Sequence, residues 1–191
     1  MSQTTKRALA ASLKKLLAQK PLDKITVVDI TTDCEVNRQT FYYHFQDIYD
    51  LIEWIYSSEA TNALGDKKTA ETWEEGLLNI CNYALENRAF VTSTYHSVSR
   101  EYLEQYLYHE TYPLLWNVLE EKSAHIPMRD EDKDFIVNFY KYAFVGLLLD
   151  WTGRGMRDDP HELVDRLSRL IHGNIVDAIE KFRCDRPHTT H

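Results

Sequence analysis

Leu9, Leu13, Leu16 and Leu17 recur at i, i+4, i+7 and i+8, a stripe that predicts an amphipathic first helix ending before Pro21. Two short helices follow, each with a marked start. Thr26 can cap the first, Asp29 stands at the capping-box position, and Ile25 and Ile30 have the spacing of a hydrophobic staple. The device recurs with Asn37 as cap and Val36 and Phe41 as the staple pair, and Cys34 to Val36 leave room for a tight turn between. A support helix followed by two short helices across such a turn is the helix-turn-helix arrangement. Asp47 can cap the next helix, whose apolar stripe is Ile48, Leu51, Ile52 and Ile55, with Asp50 and Glu53 opposite.

"GDKK", Gly65 to Lys68, is the first loop of any length and marks a boundary between bodies. Beyond it, Thr72 and Glu75 have capping-box spacing before a helix carrying Leu77, Leu78, Cys81 and Leu85. A short helix is expected over 88–95 and a long one over 97–122, with Pro113 kinking it. After the loop "HIPMRDED", two strong helices are expected over 130–152 and 160–183. The last has Asp159 as cap, Pro160 at its first position and Glu162 at the box position. Neither a strand pattern nor an internal repeat is visible. The expected fold class is all-α, with about nine helices.

Composition narrows the class. Hydrophobic content of 43% and charged content of 27% are ordinary for a soluble globular chain of 191 residues. No apolar run approaches the roughly 20 residues needed to cross a bilayer. The opening "MSQTTKRALAASLKK" lacks the order of a signal peptide, so a cytoplasmic location is expected, with no membrane partner. Cys34, Cys81 and Cys184 are then expected as reduced thiols; their odd number and wide spacing argue against a disulfide framework and a zinc site. No metal or cofactor is expected. The net charge is −8, yet residues 1–50 carry seven Lys/Arg against six Asp/Glu and the remainder 15 against 24. A solvated basic helix face explains this asymmetry about as well as a phosphate-facing one.

Residues 37–45, on a wheel of 100° per residue, separate into two faces. Phe41 and Phe45 join Val36 on the core side, while Gln39 and Tyr43 lie opposite, with Thr40 and Tyr42 on the shoulders and Arg38 and His44 flanking the apolar side. The outward face thus offers uncharged donors and acceptors plus one Arg, chemistry that suits base edges and phosphates in a major groove. A structural two-helix turn with a partly exposed aromatic patch is the alternative.

The stretch "ITVVDITTDCEVNRQTFYYHFQDIYDLIEWIY" resembles the N-terminal DNA-binding domain of TetR/AcrR-family transcriptional regulators. Ile25, Thr26, Ile30, Val36, Asn37, Thr40, Phe41, Tyr42, His44 and Phe45 all fall in register, over roughly residues 6–56. Its later part is also similar to the subgroup of dihydroxyacetone kinase operon regulators. The resemblance implies a homodimer whose recognition helices, Asn37 to His44, enter successive major grooves of a pseudo-palindromic double-stranded operator. It makes Arg38, Gln39 and Tyr43 candidates for bases, and Thr26, Thr40, Tyr42 and His44 candidates for phosphates, with Asn37 at the helix start. Two departures stand out. Cys34-Glu35 replace the usual Ala-Gly, so the turn either avoids φ > 0 or strains Glu35. The lysine usual early in the fourth helix is missing, near Gln46, Asp47 and Ile48, leaving helix-terminal amides or Lys24 to replace its phosphate contact.

The division implied is a DNA-binding domain over 1–47 and a helical effector-binding and dimerisation domain over 48–191. Phe135, Phe139, Tyr142, Ala143 and Leu147 on one helix, and Leu163, Leu167, Leu170, Ile171 and Ile175 on the next, look like the family's self-pairing surface; part of each stripe is expected to be core. Tyr83, Phe90, Tyr95, Tyr102, Tyr106, Trp116 and Tyr140 are candidates for an effector cavity, with His96 or His109 as polar anchors, although aromatics at helical spacing are more often core. The effector is a small molecule or a protein coactivator. An enzyme is not expected. There is no phosphate-cradling glycine loop or nucleophile elbow, His109-Glu110 lacks a second His, and His188 and His191 fall in the tail. The acid pairs Glu74-Glu75, Glu120-Glu121 and Asp158-Asp159 are explained by solvation and helix dipoles. The rival is a helical protein-interaction module without sequence-specific DNA binding, which would lack a steep salt dependence on promoter DNA.

Overall fold

The structure, a computed structural model, describes residues 2–97 and 100–185. The described residues form nine α-helices: α1 Ser2–Leu17, α2 Val27–Asp33, α3 Arg38–His44, α4 Ile48–Leu64, α5 Trp73–Glu86, α6 Arg88–Tyr95, α7 Arg100–Lys122, α8 Asp130–Gly153 and α9 Pro160–Phe182. The all-α expectation holds. The one β-type pairing among them is an isolated bridge between Met128 and Arg183. A short 3-10 turn, Leu22–Lys24, which hydrophobic periodicity does not reveal, follows Pro21 and buries Leu22. α7 runs continuously through Pro113.

These helices form two compact units, Met1–Ala63 with Tyr83–Leu103, and Leu64–Asn82 with Glu104–His191. In the first, Leu9, Leu13 and Leu17 of α1, Ile30 of α2, Phe41 of α3, and Leu51 and Ile55 of α4 are buried. Residues from all four helices thus supply one core, each fully buried side chain contributing roughly 1.5–3 kcal/mol. α2 and α3 have seven residues each. Helices this short are marginal alone, so packing and caps hold them. Farther along this unit, the buried Tyr56 hydroxyl lies 2.5 Å from Thr94 Oγ1, and its ring lies 4.9 Å from Phe90.

In the second unit, Ile136, Val137, Phe144, Val145, Leu149 and Trp151 of α8 face inward, as do Val164, Leu167, Ile175 and Ile179 of α9. Trp151 Nε1 donates to the Asp158 carbonyl at 3.0 Å. α9 starts at its expected cap, with Pro160 in the first turn and Asp159 accepting the His161 N–H at 2.9 Å, but Glu162 closes no capping box and pairs instead with Arg166 at 3.2 Å. α5 begins next to Thr72 as expected, but the local bonding differs. Thr72 Oγ1 meets Thr69 Oγ1 at 2.9 Å and accepts the Thr69 N–H at 3.2 Å, while Glu75 pairs with Lys67 at 3.1 Å. A loop threonine and a loop lysine have taken the box partners. Gly76 faces the same loop so closely that a Cβ there would lie 2.5 Å from the Lys67 carbonyl oxygen.

The turn between α2 and α3 resolves one of the two departures. Glu35 has φ +56°. Its N–H donates to the Thr32 carbonyl at 3.3 Å, and the Val36 N–H donates to the Thr31 carbonyl at 3.0 Å. That pair of bonds is a Schellman motif with glutamate at the left-handed position. The same motif closes α8, where Gly155 occupies that position at φ +76°, with Gly155 N–H to the Thr152 carbonyl and Met156 N–H to the Trp151 carbonyl, both 2.9 Å. The left-handed conformation costs a non-glycine residue roughly 1–2 kcal/mol. Glu35 is exposed, so Glu35→Gly is expected to raise unfolding stability by about 1 kcal/mol, read as a higher denaturant midpoint at unchanged m-value.

Candidate nucleic-acid interface

The interface is assembled from caps outward. Thr26 Oγ1 accepts the Asp29 N–H at 3.2 Å, and Asp29 Oδ2 accepts both the Thr26 N–H and the Thr26 hydroxyl at 2.8 Å. This closes the expected capping box, and Lys20 adds an ion pair to the same carboxylate at 3.0 Å. Together the Thr26 hydroxyl and N–H, then Lys20, hold the Asp29 carboxyl down at about 2. The Thr26 hydroxyl proton is therefore spent within the box. Ser12 Oγ of α1 donates to the Ile30 carbonyl at 3.0 Å inside the core. Lys15 pairs with Asp33, lowering that carboxyl too.

After the Glu35 turn, Asn37 Oδ1 accepts the Gln39 N–H at 2.8 Å and starts α3. Phe41 is fully buried and Phe45 is 3% exposed, whereas Tyr42 is 49% and Tyr43 83% exposed. Arg38 and Gln39 are exposed; Thr40 and His44 are half-buried. The two-faced wheel is thus the observed distribution. Arg38 is not a free arm. Its guanidinium lies 5.5 Å from the Tyr42 ring centroid and donates from Nη2 to the Tyr42 hydroxyl at 3.2 Å. Tyr43 and His44 rings meet edge-on at 5.0 Å. Two tyrosines at such exposure leave apolar ring surface in water on the outward side of the helix.

The second departure has a definite geometry. Asp47 Oδ1 accepts the Tyr49 N–H at 2.8 Å and the Asp50 N–H at 2.9 Å, and Asp50 Oδ2 accepts the Gln46 N–H at 2.8 Å. The Gln46, Tyr49 and Asp50 amides at the start of α4 are thus occupied by the chain's own carboxylates and are not free to take over a phosphate contact from the missing lysine. Lys24 is exposed, 3.5 Å from Asp23. Lys6, which periodicity and spacing do not single out, has its ammonium 5.2 Å from the Phe45 ring centroid and 5.6 Å from that of Trp54.

The effector candidates fall in both units. In the first, the Tyr83 and Phe90 rings flank the Lys14 ammonium at 5.4 and 5.5 Å, and that ammonium also pairs with Glu59 and donates to Asn87 Oδ1 at 2.9 Å. Tyr95 lies edge-on to the exposed His96 at 5.0 Å. In the second unit, Tyr106 is half-buried, Trp116 stacks on Tyr112 at 5.9 Å, Tyr140 is buried, and His109 is exposed. The Tyr102 side chain lies outside the described residues. Among the dimerisation candidates, Phe135, Phe139, Tyr142 and Leu170 are each more than half exposed and Leu147 is exposed at 40%. Leu163 and Ile171 are half-buried, and Leu167 and Ile175 point into their own core.

Known proteins match this architecture. The family described as "Bacterial regulatory proteins, tetR family" matches residues 4–55, and "Transcriptional regulator C-terminal region" matches residues 71–173. A relative in Lactococcus lactis subsp. lactis, the HTH-type dhaKLM operon transcriptional activator DhaS, is 26% identical over 153 residues, 79% of this chain and 81% of the relative. A solved structure of the dihydroxyacetone kinase operon activator DhaS superposes with a TM-score of 0.72 at 24% identity, covering 94% of this chain and 98% of that one. The TetR family repressor AlkX from a Dietzia species follows at 0.55 and 11%, covering 91% and 96%.

The capping box has a pH signature. The depressed Asp29 carboxyl contributes stability that is fully present above its unfolded value of roughly 3.9 and is lost as pH falls through about 2. Asp29→Asn is therefore expected to lower the denaturant midpoint at neutral pH, and its deficit relative to wild type to shrink as pH falls from roughly 4 towards 2.

Proposed function

The chain belongs to the TetR family of bacterial transcriptional regulators, and on that premise we propose that Arg38, Gln39, Tyr42 and Tyr43 form the face of α3 that enters a major groove. The chain is a DNA-binding regulator and not an enzyme. The observation that carries the reading of its site is the division of α3: two buried phenylalanines fix the helix, and two exposed tyrosines, an arginine and a glutamine are presented outward. Gln39 and Arg38 have the donors for base edges, and Tyr43 supplies a ring and a hydroxyl. The Arg38–Tyr42 contact orders the guanidinium before DNA arrives, lowering the entropy lost on binding. Thr40, Tyr42 and His44 serve the flanking phosphates and Lys24 adds an exposed cation. Thr26 and Asn37 act mainly as the caps that hold α2 and α3 in place. The DNA-binding part spans 1–47 and the effector-binding and dimerisation part 48–191.

The working form is a homodimer in the cytoplasm on a pseudo-palindromic operator. Support for the dimer comes from Phe135, Phe139, Tyr142, Leu147 and Leu170, a set of large apolar side chains exposed on α8 and α9. Leu163 and Ile171 border it, and Leu167 and Ile175 belong to the core beneath. A small molecule or a protein coactivator controls activity. The relative named as an activator of the dhaKLM operon supports an activating role at dihydroxyacetone kinase genes.

Gln39→Ala and Tyr42→Ala are expected to weaken or retarget operator binding, Gln39→Ala by about 1–3 kcal/mol, in fluorescence anisotropy, with dimer mass and thermal midpoint retained. Normal operator binding by both variants would refute the assignment of α3. Phe139→Glu with Leu170→Glu is expected to shift sedimentation from dimer to monomer; an unchanged dimer would place the self-pairing surface elsewhere.

A further inference from the structure

The cations near the two short helices are mostly committed. Lys14 pairs with Glu59, Lys15 with Asp33, Lys20 with Asp29 and Lys24 with Asp23. Lys6 differs: among the described residues no carboxylate lies within ion-pair distance of it, and its ammonium rests on the Phe45 and Trp54 rings. Ring faces hold a cation in position without neutralising it, so its charge remains available to an anion.

The location is informative. Phe45 is the C-cap of α3, and its ring continues through His44 at 6.3 Å to Tyr43 at 5.0 Å. The cation thus lies at the C-terminal end of α3, against the ring of its C-cap residue. A major groove about 12 Å wide is nearly filled by a helix about 10–12 Å across, so charged groups bordering that helix meet the phosphate walls. Phe45 also leads into the start of α4, where Asp47 and Asp50 already take the Gln46, Tyr49 and Asp50 amides.

Building on the groove reading of α3, we infer that Lys6 is a phosphate-binding residue of the DNA interface, seated on Phe45 and Trp54 and supplying the cation that the start of α4 lacks. The exposed Arg7 follows it on α1 and adds charge beside it.

The test is a salt titration of the full chain on a fluorescent mixed-sequence duplex about three helical turns long, between about 50 and 200 mM salt. Wild type is expected to show a steep negative slope of log affinity against log salt. Lys6→Met keeps the apolar stem and removes the charge, and should make that slope shallower by about 0.9 per protomer. Lys6→Arg should restore it, and Lys181→Met, an exposed cation on α9 with the same change in net charge, should leave it unchanged. A wild-type slope in Lys6→Met, a loss that Lys6→Arg fails to restore, or an equal loss in Lys181→Met overturns the inference. A flat slope in wild type overturns the groove reading with it.

Discussion

A seven-residue helix does not persist in water by its own hydrogen bonds, so the position of α3 depends on the burial of Phe41. That side chain is inaccessible to solvent and shares its core with Leu9, Leu13, Ile30, Leu51 and Ile55. Phe45, one turn on, anchors the other end of the helix. Both phenylalanines on one side leave Tyr42 and Tyr43 no place in that core, and the outward face follows from the inward one. The flanking devices keep the geometry single-valued: the Thr26–Asp29 box at the start of α2, the left-handed Glu35 at its end, and Asn37 at the start of α3. Glutamate in a position suited to glycine means that conformational strain is sustained by the packing on either side of the turn.

Electrostatics explain how a chain of net charge −8 can serve a polyanion. Acidic residues near the short helices are largely engaged locally, Asp29 and Asp33 with lysines, Asp47 and Asp50 with amides. Arg38 and Lys6 instead rest on aromatic rings. Local pairing, more than total charge, sets what a phosphate meets.

Much of the fold was legible because its signals are local. Cap residues Thr26, Asn37 and Asp159 act within three positions of themselves, and each cap forms as expected. The split of α3 was legible for the same reason, since Phe41 and Phe45 differ by four residues. What escaped was decided by contacts that residue spacing within one element does not encode. Thr72 and Glu75 have box spacing, but Thr69 and Lys67 meet them instead. The stripes of α8 and α9 mix inward Leu167 and Ile175 with outward Phe139 and Leu170, since positions three apart, such as Leu167 and Leu170, still diverge by about 60° on a helix. The role of Lys6 had no local signal at all; it depends on rings about 40 and 50 residues away, brought together by the core.

The central claim is that the outward face of α3 reads the major groove. Dimethyl sulfate interference on the promoter that the protein binds addresses it directly, since methylation of guanine N7 alters only the major-groove edge. Interference is predicted at guanines in two symmetric clusters about one helical turn apart, centre to centre. Binding that tolerates methylation at every guanine N7 in the protected region, or that is blocked only by methylation of adenine N3 in the minor groove, would contradict it.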